Sequence, residues 1–301
     1  MSARFLTVVL ERAFNMRDGF GREIDYMRIS VIDSCNLNCY YCNPCDNNEH
    51  CHALNILSVK EVLGIVRAAT RLGIKHFRLT GGEPLLHPQL DEMVLQIKKI
   101  PGVSSVSLTT NAVLLVQHAK WLKEAGIDSI NVSLDTIDAS EYERITKKPL
   151  LEEVKHGINA AIECGIRVKI NVVLTPQTDV VALTRYVAKK GTDIRFIEMM
   201  PVGEGHTNGV EPYKKVIGTL SKLYGEPCRI NTEKTKEINS GNDKRKIPDN
   251  GPAEYYIFPE LGIRVGLIQA IHGKFCDTCN RIRVTADGRL MPCLGSSVTM
   301  D

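Results

Sequence analysis

The sequence predicts a parallel α/β sheet, and three observations carry that reading. Short apolar segments recur along the first two thirds of the chain, with stretches of helical periodicity between them. A glycine stands just before several of those segments: Gly73 before the segment at 75–80, Gly126 before Ile127, Gly165 before Ile166 and Gly191 before Thr192. A glycine there stops a helix and lets the next strand begin. Alternation of this period argues for crossover connections between parallel strands, in a sheet that closes as a barrel or stays open.

The elements follow in order. Residues 1–25 are polar and Arg-rich and read as an N-terminal arm. The first strand is Tyr26–Asp33. Ser58 with Glu61 forms a capping box opening a helix on which Val59, Val62, Leu63 and Val66 recur at helical spacing. Further strands are expected at 75–80, 103–109, 127–134, 166–174 and 193–199, with Asp138 and Glu141 capping another helix. The rhythm breaks at 205–250, and the charged stretch 229–250 reads as a solvated loop. Residues 253–275 alternate again and suggest a small antiparallel set. The expected organisation is an arm (1–25), an α/β body (26–204) and a C-terminal region (205–301).

Cysteine placement carries the chemistry. Ten cysteines are present, and six fall into two tight groups: Cys35, Cys39 and Cys42, and Cys276, Cys279 and Cys293. With 301 residues, 43% hydrophobic content and a net charge of +3, the chain reads as an ordinary globular protein. No general nucleic-acid or membrane electrostatics is implied, and the apolar run Phe5–Leu10 is too short to span a bilayer or serve as a signal segment. Grouped cysteines without export signals point to metal or cluster sites in a reducing, cytoplasmic setting. Three thiolates on one loop hold three corners of a cubane and leave the fourth iron open, whereas structural zinc takes a closed set of four. Spacing alone keeps zinc open for both groups, with Cys45, His50, Cys51 and His52 near the first and His272 near the second.

Other motifs lie at strand ends, where parallel α/β folds bind ligands. Thr80-Gly81-Gly82-Glu83-Pro84 offers close backbone approach and a carboxylate for an ammonium group. Thr109-Thr110-Asn111 and Ser133-Leu134-Asp135 end the next two strands. Lys169 interrupts an apolar strand, so its charge needs a partner such as phosphate or carboxylate. Arg281 and Arg283 follow the second cysteine group two apart, on one side of a strand, and suit phosphate oxygens.

Cys35–Cys42, with an aromatic before the last cysteine, resembles the signature of radical S-adenosylmethionine (SAM) enzymes. Together with the segment at 275–294, Phe-Cys-Asp-Thr-Cys-Asn-Arg-Ile-Arg-Val-Thr-Ala-Asp-Gly-Arg-Leu-Met-Pro-Cys-Leu, the chain from about residue 17 to 295 resembles the GTP 3′,8-cyclases of molybdenum cofactor biosynthesis. That resemblance implies a partial (β/α)6 barrel of the TIM-like, radical SAM type, with a small C-terminal α+β region carrying a second cluster. It implies two 4Fe–4S clusters, on Cys35, Cys39 and Cys42 and on Cys276, Cys279 and Cys293. It assigns Gly82, Glu83, Thr109, Ser133, Lys169 and Met200 to SAM. It places Arg28, Arg195, Arg281 and Arg283 around GTP, with Arg281 and Arg283 as the catalytic pair. A small-protein or chemical electron donor is implied, and a homodimer is allowed; no nucleic acid or membrane is. A radical SAM enzyme with an auxiliary cluster and a peptide substrate is the alternative. The chain departs from the family pattern at Ser34, His76 and Pro201, and it ends at Asp301 without the family's Gly-Gly tail. The expectation is a truncated form or a relative with altered chemistry.

Overall fold

The computed structural model describes residues 16–42, 55–201, 210–230, 251–296 and 298–300. Cys45, His50, Cys51, His52 and most of the stretch 229–250 lie outside the described residues.

The six expected strands form, each one to three residues shorter than its apolar run or displaced by as much. They are β1 (Tyr26–Ser30), β2 (His76–Thr80), β3 (Ser105–Thr110), β4 (Ser129–Ser133), β5 (Val168–Leu174) and β6 (Asp193–Glu198). Between and after them run α1 (Val59–Arg71), α2 (Leu90–Lys98), α3 (Leu115–Glu124), α4 (Ala139–Thr146), α5 (Leu151–Glu163), α6 (Val180–Lys189) and α7 (Gly218–Tyr224). The Ser58–Glu61 capping box closes as expected: Ser58 N–H donates to Glu61 Oε2 at 2.8 Å, and Glu61 N–H donates to Ser58 Oγ at 3.3 Å. Asp138 likewise accepts the Glu141 N–H at 2.8 Å. Gly73, Gly126, Gly165 and Gly191 all take positive φ, between 62° and 92°, so the helices end where the sequence places glycine.

The C-terminal strands are β7 (Cys228–Ile230), β8 (Glu254–Ile257), β9 (Arg264–Ile268), β10 (Arg281–Val284) and β11 (Leu290–Met291). β8 pairs antiparallel with β7 and with β9, the small antiparallel set expected from 253–275, but that set joins the main sheet instead of standing apart. One sheet holds all eleven strands, in the order β11-β10-β1-β2-β3-β4-β5-β6-β9-β8-β7. β9 pairs parallel with β6, and β10 pairs parallel with β1. The C-terminal region therefore extends both edges of the body, and the sheet curves as an open, partial barrel.

Alternation sorts the two faces. On β1 and β2 the odd positions Met27, Ile29, Phe77 and Leu79 are buried against helices, while Tyr26, Arg28, Ser30, His76, Arg78 and Thr80 turn to the other face. Register then lines up like with like. Arg283, Arg28 and Arg78 stand abreast on β10, β1 and β2, and Asn131 stands beside Lys169 on β4 and β5. The helix-facing side is aliphatic and the interior is polar.

Packing on the helix side is close. A Cβ on Gly157 of α5 would lie 2.3 Å from the Ala112 carbonyl oxygen, at the turn before α3. Gly157→Ala should cost about 1–3 kcal/mol through overpacking. A melting curve is expected to fall by several degrees; an unchanged melting temperature would show that the turn yields freely.

Candidate active site

Two cavities open on the polar face. The first, of about 620 Å³, sits at the C-terminal ends of β1 and β2 and is lined by Cys35, Cys39, Cys42, Gly81, Gly82 and Arg283, among others. The three cysteines expected to act together thus share one wall. Their loop is pinned to neighbouring elements: Asn38 N–H donates to the Thr146 carbonyl at 3.0 Å and Tyr40 N–H to that of Ile145 at 3.0 Å. Tyr41 donates its hydroxyl to the buried Asp135, whose other oxygen accepts Val173 N–H at 2.7 Å.

Gly81 and Gly82 are required by the protein itself. A Cβ on Gly81 would lie 2.2 Å from the Ile32 carbonyl oxygen, and one on Gly82 would lie 2.2 Å from that of Ser34. The N–H groups of Gly82 and Glu83 hold the chain entering the cysteine loop: Gly82 N–H donates to the Ile32 carbonyl at 2.8 Å and Glu83 N–H to that of Ser34 at 2.7 Å. Two strand ends meet backbone to backbone there, which only glycine permits.

Glu83 is buried, and its carboxylate lines neither cavity. It accepts Thr110 Oγ1–H at 2.6 Å, Asn111 N–H at 2.7 Å and Leu85 N–H at 3.0 Å. Burial pushes its pKa up to about 7 against those three donors. It braces the rim between β2 and β3. Asn111, fixed by that brace, directs its Nδ2 to Asn36 Oδ1 at 2.7 Å and toward Cys35 Sγ at 3.8 Å. Leu37 N–H also faces that sulfur at 3.5 Å.

The thiols suit a cluster. Burial, followed by neighbouring negative charge, raises all three, Cys39 to about 12, so the free site holds thiols and binding iron would displace protons. Among the described residues no three His, Cys, Asp or Glu side chains are close enough to share a single ion. A cubane asks for something different, since each thiolate takes its own iron. Together with the N–H groups aimed at Cys35, the donor set fits a cluster held by three cysteines.

The second cavity, of about 590 Å³, lies deeper on the polar face. Among the described residues six cations line it (Arg28, Arg78, Arg167, Lys169, Arg195 and Arg281) against one carboxylate, Asp128. Asp128 is already engaged by Lys98 Nζ at 2.9 Å and by Val106 N–H at 2.7 Å. Arg28 lines both cavities and forms the wall between them. Its Nε is buried without a partner, as are Nε and NH2 of Arg195 and NH2 of Arg167. Burial first, then the charges of Arg283 and Arg78, pushes the Arg28 guanidinium well below its ordinary pKa. Burial would raise the Tyr26 phenol, but Arg78 and Arg28 overrule it and lower it. A protein interior seldom gathers so many cations, because each like-charged pair costs about 2 kcal/mol at about 7 Å and an effective dielectric of about 20. The cavity is built for a polyanion.

Arg78 was not singled out by the sequence reading. It donates from Nε to Tyr26 Oη and from NH1 to Thr109 Oγ1 at 3.3 Å. Thr109 and Lys169, assigned by resemblance to SAM, therefore stand with the basic cavity: Thr109 beneath Arg78, Lys169 on the wall. Ser133 is exposed at the end of β4 and Met200 is half-buried past β6; neither lines either cavity. Arg195 lies over Gly266 of β9, where a Cβ would meet its Cγ at 2.7 Å.

Cys276 and Cys279 close one 3₁₀ turn, with Cys279 N–H donating to the Cys276 carbonyl at 3.2 Å, just before β10. β11 runs antiparallel to β10 and returns Cys293 toward the same end. Arg281, stacked over Phe275 at 5.6 Å, joins this group to the basic cavity. His272, the fourth ligand that a zinc site would need, pairs its Nδ1 with Glu198. Cys276, Cys279 and Cys293 thus gather at the beginning of β10, beside Arg281 and Arg283.

Two family profiles match: the radical SAM superfamily over residues 29–183 and Molybdenum Cofactor Synthesis C over 192–301. A GTP 3′,8-cyclase from Clostridium perfringens (strain SM101) is 37% identical over 282 residues, covering 93% of this chain and 83% of the relative. One from Pelotomaculum thermopropionicum is 38% identical over 286 residues, with 93% and 84% covered. Among solved structures, SuiB of Streptococcus suis bound to S-adenosylmethionine superposes with a TM-score of 0.65 at 15% identity, covering 92% of this chain and 63% of that one. No helix among the described residues is long and apolar enough to cross a membrane.

If the unpaired cations are held for an anion, removing one should relieve the free protein. Arg28→Met is expected to raise the melting temperature of the metal-free protein while weakening the stabilisation that millimolar tripolyphosphate gives the parent. A fall in the melting temperature, with tripolyphosphate stabilisation intact, would contradict the reading.

Proposed function

The chain belongs to the GTP 3′,8-cyclase family of radical SAM enzymes, and from that membership we infer that it converts GTP to (8S)-3′,8-cyclo-7,8-dihydroguanosine 5′-triphosphate, the first step of molybdopterin biosynthesis. The observation that carries the substrate assignment is the six-cation cavity separated from the cysteine-lined cavity by one arginine.

A 4Fe–4S cluster on Cys35, Cys39 and Cys42, when bound with SAM, supplies a 5′-deoxyadenosyl radical. Everything else falls to this chain's residues. We place SAM in the cavity of Cys35, Gly81 and Gly82; Ser133 and Met200, which the family implies as contacts, lie outside that cavity's lining. Glu83 acts there as the brace that fixes the rim. We place the triphosphate among Arg28, Arg78, Arg195 and Arg281, whose forks match phosphate oxygens two at a time, with Lys169 adding a point charge. Lys169 and Thr109 serve GTP in this arrangement. Arg283, on the cysteine-cavity side, and Arg28, on the dividing wall, hold the nucleotide between the two sites. Cys276, Cys279 and Cys293 would hold a second cluster at the base end of the nucleotide, next to Arg281.

Orientation is the protein's main contribution. A carbon radical attacks the nearest hydrogen, so the ribose must be fixed and water kept out. The triphosphate provides the anchor: several charge-assisted hydrogen bonds to a rigid sheet face fix the sugar better than contacts to the sugar alone.

SAM cleavage separates the alternatives. Anaerobic protein supplied with SAM, reductant and GTP is expected to form 5′-deoxyadenosine in a GTP-dependent way; its absence in protein shown to carry iron and sulfide would contradict the assignment. Lys169→Met should weaken GTP binding at least about tenfold, the loss of one charged phosphate contact at about 1.4 kcal/mol or more, while SAM binding holds within about threefold. Equal losses for both ligands would return Lys169 to SAM.

A further inference from the structure

The arm before β1 contains a closed turn that neither cavity accounts for. In Asp18-Gly19-Phe20-Gly21-Arg22, Asp18 Oδ1 accepts Phe20 N–H at 2.9 Å and Arg22 N–H at 3.0 Å. Gly21 N–H donates to the Asp18 carbonyl at 2.9 Å, with Gly21 at φ 77°. The turn's base is tied by a bridge between Arg17 and Glu23. Phe20 is exposed, so the turn is held by these hydrogen bonds and not by apolar burial.

Its product is one oriented guanidinium. Arg22 donates from Nε to Asp18 Oδ2 at 2.6 Å and pairs through NH2 with the same oxygen at 2.5 Å. The remaining nitrogen, NH1, donates to the Cys276 carbonyl at 2.6 Å. That carbonyl is the one that closes the 3₁₀ turn by accepting Cys279 N–H. The guanidinium also lies within electrostatic reach of the Cys276 and Cys279 sulfurs. Next to it, Asn280 Nδ2 donates to Asp25 Oδ1 at 2.6 Å and Tyr26 N–H donates to the Asn280 carbonyl at 3.2 Å. The two cysteines are thus positioned from outside the C-terminal region, by residues 250 positions earlier in the chain.

We infer that Asp18 and Arg22 form a positioning device for the second cysteine site: Asp18 presents the Arg22 guanidinium to the Cys276 carbonyl, which fixes the Cys276–Cys279 turn and sets a cation beside its thiolates. The inference rests on the reading that Cys276, Cys279 and Cys293 hold an iron–sulfur cluster. A cluster on three thiolates gains negative charge on reduction, and a fixed cation nearby favours that state. Arg22 therefore acts on the cluster's potential as well as on its retention. Lysine keeps the charge but has no planar fork to serve Asp18 and Cys276 together.

The test uses the 301-residue chain with Cys35, Cys39 and Cys42 replaced by Ala, reconstituted anaerobically so that only the second site takes iron. Against this parent, Arg22→Gln is expected to lose iron several-fold faster to a chelator and to show a lower midpoint potential with an altered electron paramagnetic resonance spectrum. Arg22→Lys should recover much of the potential and less of the retention, and Asp18→Asn should reproduce the retention defect. Circular dichroism and melting curves of the metal-free proteins check that each variant folds. Arg22→Gln matching the parent in both potential and iron loss overturns the inference. A parent that takes up no iron removes the cluster reading beneath it and the inference with it, and the iron content of the parent tells the two failures apart.

Discussion

The structure turns on a set of positive charges held indoors. Arg283, Arg28 and Arg78 stand abreast on three adjacent strands, and Arg195, Arg167 and Lys169 face them across the same interior. Several of their donors are buried with no acceptor. Such an arrangement is unfavourable for the free protein and is tolerated because the surrounding sheet leaves these side chains little room to turn away. The free energy withheld there is recovered when an anion enters. Substrate affinity and strain in the free state are two sides of one arrangement.

The rest of the fold serves that interior. Helices bury the aliphatic face and leave the polar face inward. The C-terminal region is woven into the sheet at both edges, with β9 against β6 and β10 against β1. Through β10 it brings Arg281 and Arg283 to the arginine row and sets Cys276 and Cys279 at the strand's beginning. Gly266 on β9 clears space for Arg195, so the opposite edge also contributes to the cavity. Cysteine loop and arginine row are neighbours because both are built on β1: Arg28 lies within the strand and Cys35 just beyond it.

Much of this was legible in the sequence, for identifiable reasons. Strands and helices announced themselves through glycine stops and capping residues, which act locally. Both cysteine groups were visible because thiolate spacing is a short-range signal. Arg28 and Arg195 were named through family resemblance, Arg281 and Arg283 also through their spacing beside the second cysteine group, and Lys169 through its charge in an apolar strand. The sequence could not say that β9 and β10 join the sheet on opposite edges, since parallel pairing leaves no local mark. Arg78 and Arg167 were missed for the same reason: their meaning comes from register with strands far away in sequence. Gly81 and Gly82 were legible as a site of close approach, but the neighbour they admit is the chain leading to Cys35. Glu83 was legible as a carboxylate at a strand end, but its three partners, from residues 85, 110 and 111, were not.

The central claim is that the interior cations bind the phosphates and thereby hold the nucleotide. It is tested most directly by titrating guanosine, GMP, GDP and GTP into the anaerobic enzyme at low and high salt. The account predicts affinity that climbs steeply with each phosphate, with the gain shrinking as salt rises. Guanosine and GTP binding within a few-fold of each other, with no salt dependence, would contradict it.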